Sequence, residues 1–305
     1  MSVKQNDRYL GIGLAILATI IWSGNFVVAR GVSQHIGPVR LAFYRWLTAT
    51  VIMAPLAWKQ FRAESGYILQ YKKYVFWAAL TGVALFNTCV YIAGHYTSAI
   101  NLALIGTTSS PIFSTIMAVV FLKERMTPAR IIGFACCIAG VLLLLSNGRW
   151  EILASFRFSK GDLWVIAGAV AFAVYSVLVK KKPQQISTIS FLFAVFLSGT
   201  VMLLPFFVWE SLAGQVTQWD AKLIGIILYL GAGASVISFL CWNTAIQKLG
   251  AATTVLFGNL IPVFSVWEAV LLLGEKVSTI HLVSGVLVIG GLIIANTSFR
   301  LKTAT

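Results

Sequence analysis

An all-α polytopic membrane protein, with ten transmembrane helices arranged as two inverted five-helix repeats, is the architecture expected of this chain. Three observations carry that expectation. The 305 residues are 59% hydrophobic and only 10% charged, with a mean hydropathy of +0.88, whereas a soluble domain carries about a quarter charged residues. Ten apolar runs, roughly at 10–30, 38–58, 74–95, 99–122, 128–146, 161–180, 187–209, 222–246, 251–273 and 279–297, are each near the length that crosses a bilayer. They are too long and too continuously apolar for barrel strands, which leaves helices. Finally, the first half recurs in the second.

The recurrence is read by displacement. At 150 residues Gly11 falls on Gly161, Arg30 on Lys180, Val51 on Val201 and Pro55 on Pro205. At 151 Gly82 falls on Gly233, Pro111 on Pro262, Phe113 on Phe264, Ser114 on Ser265, Glu124 on Glu275 and Gly140 on Gly291. The expected units are 1–148 and 149–305. Five helices per unit is odd, so the second copy starts on the opposite face and lies upside down. Inverted repeats suit proteins that alternate access between two faces around a midplane site.

The net charge of +14 invites a nucleic-acid reading, but basic residues also mark cytoplasmic loops. With the N-terminus inside, the inner segments carry fifteen Lys and Arg and the outer segments seven. Both termini are therefore expected in the cytoplasm and no nucleic-acid partner is expected.

The spans, taken in order, carry the following. The first holds Trp22, Ser23 and Asn25 within WSGNFVVARG, which reads as continuing protein with no cleaved leader. The second holds Arg45, a charge inside an apolar run. In the third, Asn87, Tyr91 and His95 follow an i, i+4, i+8 stripe and share one face. The fourth carries GTTSSP, with Thr107 and Thr108 before Pro111; the proline removes one helical hydrogen bond and clashes with the carbonyl four residues back. The fifth contains Cys136 and Cys137. These, Cys89 and Cys241 lie in apolar runs without CxxC spacing, so they are read as small apolar fillers. In the sixth span Tyr175 takes the repeat position of Asn25, and in the eighth Trp242 takes that of Tyr91, with Asn243 beside it. The eighth also contains GAGAS at 231–235, which favours close helix approach over phosphate binding. The ninth has Asn259 and Pro262 near its middle and Glu268 about as deep as Arg45.

Each group has a functional and a structural reading. A kinked polar patch at matching depth in both halves points to a binding site, against a packing kink with local repair; Pro111 and Pro262 are the candidate hinges. Aromatic walls with a few amides suit an organic zwitterion or cation, although aromatics also gather at membrane interfaces. Intramembrane charges are costly and default to function. Glu268 is a candidate for proton coupling or for meeting a substrate amine, against an ion pair with Arg45 or a side chain snorkelled to the interface. Glu124 and Glu275 are read as solvated or locally paired helix ends, with a gating salt bridge as the alternative. The candidate substrate-binding set is Trp22, Asn25, Asn87, Tyr91, His95, Thr107, Thr108, Tyr175, Trp242, Asn243 and Asn259.

WSGNFVVARG, LAFYRW, YTSA at 96–99, SPIFSTIMAVVFLKER at 110–125, GFACCIAGVLLL at 133–144 and, in the second half, GDLWVIAGAVAFAVYSVL, LGAATTVLFGNLIPVFS and LGEKVS resemble the drug/metabolite transporter superfamily, EamA-type branch. The resemblance covers nearly the whole chain. It implies a multi-pass carrier of the bacterial-type inner membrane, exporting amino acids or other small metabolites, with a cavity lined by the third, fourth, eighth and ninth spans. It also favours a structural role for Arg45. Trp267–Glu268 and His95 beside Tyr96 depart from the family pattern. No GxxxxGK loop, HExxH, CxxC or Ser–His–Asp pattern occurs, so neither an enzyme nor a cofactor or metal is expected. The partners expected are a small organic solute and the lipid bilayer, with H⁺ coupling and a homodimer as open options. A lipid-linked sugar flippase and a non-transporting scaffold or partner subunit are the alternatives.

Overall fold

A computed structural model describes residues 3–32, 35–96, 99–124, 126–154, 159–213, 217, 219–273 and 278–297; the side chains of 3–5, 26–31, 99–104, 107, 108, 150, 266, 269–273, 296 and 297 lie outside that description. Thr107, Thr108 and Glu275 are thus sequence candidates whose side chains are not described. The helices are α1 (Val3–Gly31), α2 (Pro38–Gln70), α3 (Lys72–Tyr96), α4 (Ala99–Leu122), α5 (Pro128–Leu145), the short α6 (Trp150–Ala154), α7 (Lys160–Lys180), α8 (Thr188–Leu212), α9 (Ala221–Leu249), α10 (Ala251–Leu256), α11 (Ile261–Leu273) and α12 (Thr279–Thr297). Among the described residues there is no strand. Among the described residues five helices, α3, α5, α7, α8 and α9, are long and apolar enough to cross a membrane; Ser109–Leu122, Ala251–Ser265 and Thr279–Ala295 are shorter apolar stretches. The surface inverts the pattern of a soluble protein. Val51, Leu56, Trp209 and Val286 are exposed, while Arg45, Asn87, Ser235 and Asn259 are buried. Such a surface suits hydrocarbon, and the chain is a multi-pass membrane protein.

Helix starts explain themselves locally where a capping residue is present. Thr127 accepts from the Arg130 N–H ahead of Pro128. Ser159 and Asp162 form a reciprocal capping box, Ser187 accepts from Ser190 N–H, and Asp220 accepts from Leu223 N–H at 2.6 Å. Two helices start on glycine, which has no side chain to offer. For α2 the N-cap is Gly37, and Glu210 of α8 accepts from Val39 N–H (3.2 Å) and Arg40 N–H (2.8 Å). For α10 the N-cap is Gly250, and Glu124 accepts from Ala251 N–H (3.0 Å) and Ala252 N–H (3.3 Å). Each glutamate satisfies orphan donors and meets the positive end of a helix. Glu124 is therefore not a locally paired terminus, as its neighbour Arg125 led one to expect; it caps a distant helix. Left-handed backbone at Lys123 (φ 54°) turns the chain just before it.

α2 and α8 are fastened at both ends. Glu64 of α2 accepts from Ser187 N–H at 2.8 Å, returning what Glu210 does for α2. Between these ends Thr50 and Thr200, 150 residues apart, share a hydrogen bond of 3.1 Å. Near the Glu64 end, burial pulls the Lys182 ammonium below its ordinary pKa, against the opposing pull of Glu64. α5 and α12 pack as closely as backbone allows. A Cβ on Gly133 would strike the Gly291 carbonyl, a Cβ on Gly291 would strike the Gly133 carbonyl, and Gly140 faces Ser284. Cys137 lies between these pairs and donates to Val288 O, 151 residues away, at 3.4 Å.

Among the described residues the helices deviate from regular α geometry in three places. π-Helical turns occupy Leu80–Leu85 in α3 and Tyr229–Ile237 in α9. A 3₁₀ turn, Phe257–Leu260, joins α10 to α11 just before Pro262. The two prolines thus act differently: α4 stays α-helical through Pro111, while Pro262 follows a break in the helix. In α4 the Ser109 hydroxyl bonds back to Ile105 O within its own helix; in the 3₁₀ turn Asn259 Nδ2 donates to Leu256 O at 3.0 Å.

Candidate functional site

Arg45 anchors the interior. Its side chain sits on α2 and the residue is 1% exposed. Nε donates to Ser235 Oγ at 2.7 Å. Nη1 faces three acceptors, Asn25 Oδ1 (2.9 Å), Asn87 Oδ1 (2.9 Å) and Tyr91 OH (2.8 Å). Nη2 donates to Ala234 O at 3.0 Å. The guanidinium carbon also lies 5.1 Å from the centre of the Trp46 ring. All these hydrogen-bond partners are neutral. Tyr91 turns its own hydrogen toward Asn25 Oδ1 at 3.3 Å, so the network is directional: dipoles point their negative ends at one buried cation.

The π-helical turn of α9 supplies two of those partners. Its Ala234 carbonyl accepts from Arg45 and also from Trp22 Nε1 at 2.8 Å. A π turn offsets the helical ladder by one residue and often marks a functional position. The GAGAS glycines serve the close approach expected of them: a Cβ on Gly231 would strike Thr48 of α2.

Beside Arg45 is a cavity of ≈ 50 Å³, measured as the volume open to the centres of water-sized spheres. Arg45, Asn25 and Asn87 form its polar wall. Trp22, Phe86, Phe172 and Trp242 form an aromatic wall, with Trp22 and Trp242 centred 4.9 Å apart and Phe86 and Phe172 4.7 Å apart. Gly106, Ser110 and Pro111 of α4, together with Val255 and Gly258 around α10, close the remainder. Trp22, Asn25, Asn87 and Trp242 of the candidate set, and the candidate hinge Pro111, are therefore brought together around one cavity, with Tyr91 bonded to Arg45 behind them.

Other candidates lie elsewhere. His95 is exposed at the end of α3, two turns beyond Asn87, and does not line the cavity. Tyr175 and Asn243 satisfy each other, with Asn243 Nδ2 donating to Tyr175 OH at 2.8 Å. Asn259 is buried next to the cavity wall but outside it. Arg45 and Glu268 form no ion pair. Arg45 is already held by neutral acceptors, and Glu268 Oε1 accepts from the Ser23 hydroxyl, while Ser265 Oγ donates to Ser23 O at 3.1 Å. Sequence reasoning missed Phe86 and Phe172, which look like any apolar residue, and Ser235 and Ala234, whose role depends on the π turn. The cavity also draws on more helices than the resemblance implied, adding α1, α2 and α7 to the four expected.

The EamA-like transporter family model matches the chain twice, at residues 9–146 and 159–297. An "uncharacterized transporter" of Archaeoglobus fulgidus is 29% identical over 91% of this chain and 94% of its own length. A "probable terminal-alkyne amino-acid exporter" of Streptantibioticus cattleyicolor is 27% identical over 92% of this chain and 91% of its own. A "probable amino-acid metabolite efflux pump" of Salmonella typhimurium is 23% identical over 95% of each. One solved protein structure superposes with a TM-score of 0.75 over 98% of this chain and 99% of its own, at 19% identity, a likeness of fold alone.

Proposed function

The chain belongs to the EamA-like transporter family, and from that premise we propose that it is a secondary carrier which exports a small organic solute of amino-acid size by alternating access. The observation that carries this reading is the cavity at Arg45, walled by Arg45, Asn25 and Asn87 on one side and by aromatic rings on another, in a bundle whose outer surface is apolar. A scaffold has no need of such a cavity, and burying its polar groups would only cost stability. Two relatives named for amino-acid export or efflux support the solute class.

In this reading ten helical rods cross an inner membrane, α10 and α11 counting as one, with both termini in the cytoplasm. The two family-model matches support a division into two repeats, at 1–148 and 149–305. Their inversion is supported by contacts that exchange partners: Gly133 meets Gly291 as Gly140 meets Ser284, about a residue, Cys137, that bonds its own repeat neighbourhood. Such reciprocity belongs to a two-fold relation, and helices meeting antiparallel across it require an axis in the membrane plane. Rocking of the halves opens the cavity alternately, with Pro111 and Pro262 as hinges. Glu268, hydrogen-bonded to α1 rather than to Arg45, is the candidate for carrying a proton.

Counterflow from proteoliposomes preloaded with a metabolite library tests the carrier reading. Exchange of at least one small solute is expected. No exchange with any small solute, or movement of lipid-linked sugars alone, would overturn it.

A further inference from the structure

We propose that the cavity receives the carboxylate end of its solute, that Asn87 and Trp242 are the residues that donate to it, and that Arg45 supplies the compensating charge. This deepens the carrier reading and rests on it. The starting point is which hydrogen-bonding capacity is left over. Among the residues lining the cavity, two buried polar atoms have no partner, Asn87 Nδ2 and Trp242 Nε1. Asn87 is 0% exposed and Trp242 is 2% exposed. Both atoms are donors that cannot accept.

The amide orientation follows from its neighbour. Arg45 has donors only, so the Asn87 atom 2.9 Å from Nη1 must be the oxygen, and the NH₂ is the end left over. The indole of Trp242 has no second polar atom. Its partner indole differs, because Trp22 Nε1 is satisfied by Ala234 O. The leftover capacity of these two residues is therefore one-sided: two N–H groups on residues that line the same cavity as Arg45, whose own partners are all neutral.

No Asp or Glu lines the cavity among the described residues. Unsatisfied buried donors and an uncompensated cation each raise the energy of the empty site. One ligand group lowers all three costs together: a compact anion with two acceptor oxygens. A carboxylate fits, and charge-assisted N–H···O⁻ bonds are the stronger kind. An ammonium has only donors and would face donors and a like charge. The rings of Trp22, Phe86 and Phe172 then meet the organic remainder of the solute. The cation reading that aromatic walls invite does not survive the donor count: the cavity selects by the acid end, and the amine is optional.

The experiment uses the full chain in proteoliposomes with matched trios in the counterflow panel: each amino acid, its decarboxylated amine and its deaminated acid, with sodium chloride as a separate competitor. Exchange is expected for carboxylate-bearing members, including acids without an amine, and not for the amines. Asn87→Asp, which keeps the shape and an acceptor for Arg45 but removes the donor and adds a repelling charge, should weaken apparent affinity for the acid at least tenfold; Trp242→Phe, which removes only the indole N–H, should weaken it about tenfold. Exchange of amines as fast as acids, competition by chloride equal to that by carboxylates, or unchanged affinity in both folded variants would overturn the assignment while the carrier reading stood. A panel in which nothing exchanges would instead overturn the carrier reading, and this inference with it.

Discussion

The α2–α8 pair and the α4–α10 pair are both joined by a glutamate that caps a helix beginning on glycine, yet they are joined to different degrees. α2 and α8 hold each other at both ends, through Glu64 and Glu210, and again in the middle through Thr50 and Thr200. α4 and α10 are joined at one end by Glu124, and the cavity-lining Gly106, Ser110 and Pro111 of α4 lie at its middle and beyond, away from that end. A pair fastened at three levels resists sliding and hinge bending alike. A pair fastened at one level can part there without disturbing the rest. The fold thus separates a fixed frame, which carries Arg45, from a wall that, among the described residues, is tied by Glu124 and by the Arg130–Thr253 hydrogen bond at one end.

Glu210→Ala should have the largest effect. It strips the cap from α2 and strands Arg40, whose guanidinium lies 3.5 Å from the carboxylate with both side chains nearly buried. Losing one partner of a buried pair costs about 3–5 kcal/mol. Thermal unfolding in detergent should show a large loss, and a wild-type melting profile would refute the idea of a fixed frame. Next is Pro111→Ala, which should change turnover more than assembly, whereas Pro262→Ala, following a 3₁₀ break that persists without it, should change turnover less. Equal transport by all three proteins in vesicles would remove the hinge role. Glu124→Ala should cost about 1 kcal/mol, the usual worth of a cap, and should raise thiol labelling of a cysteine placed at Ser110 from the face that bears Lys123. Labelling unchanged from that face would mean that Glu124 fastens nothing that moves. The smallest structural effect is expected of Glu268→Gln, which keeps an acceptor for Ser23. It should flatten the pH dependence of transport while leaving stability near wild type, and an unchanged pH profile excludes Glu268 as proton carrier.

Much of the site was legible for one reason: polar groups in an apolar run are rare enough to stand out. Trp22, Asn25, Arg45, Asn87 and Trp242 each announced themselves, and these are five of the cavity's polar and aromatic positions. The same reasoning overreached at Tyr175 and Asn243, since a polar residue in hydrocarbon is equally content with a neighbour on another helix. It misjudged His95, because an i+8 position shares a face but lies two turns further along the axis. The π turns had no signature to read; each is a single-residue offset in a ladder, invisible in composition. Glu124 looked like an ordinary helix end because the glycine it serves is more than a hundred residues away.

Hydropathy by itself determined the solvent and the helical fold, since a chain this apolar must satisfy its backbone internally. The proline and glycine echoes raised the expectation of two related units in succession, and the family model matches twice, at residues 9–146 and 159–297. The tertiary structure alone decided which donor meets which acceptor. Hydrogen bonds form over about 3 Å, and the bonds around Arg45 join residues 20 to 190 positions apart. Distances of that kind arise from helix packing and are not written in any single stretch of the chain.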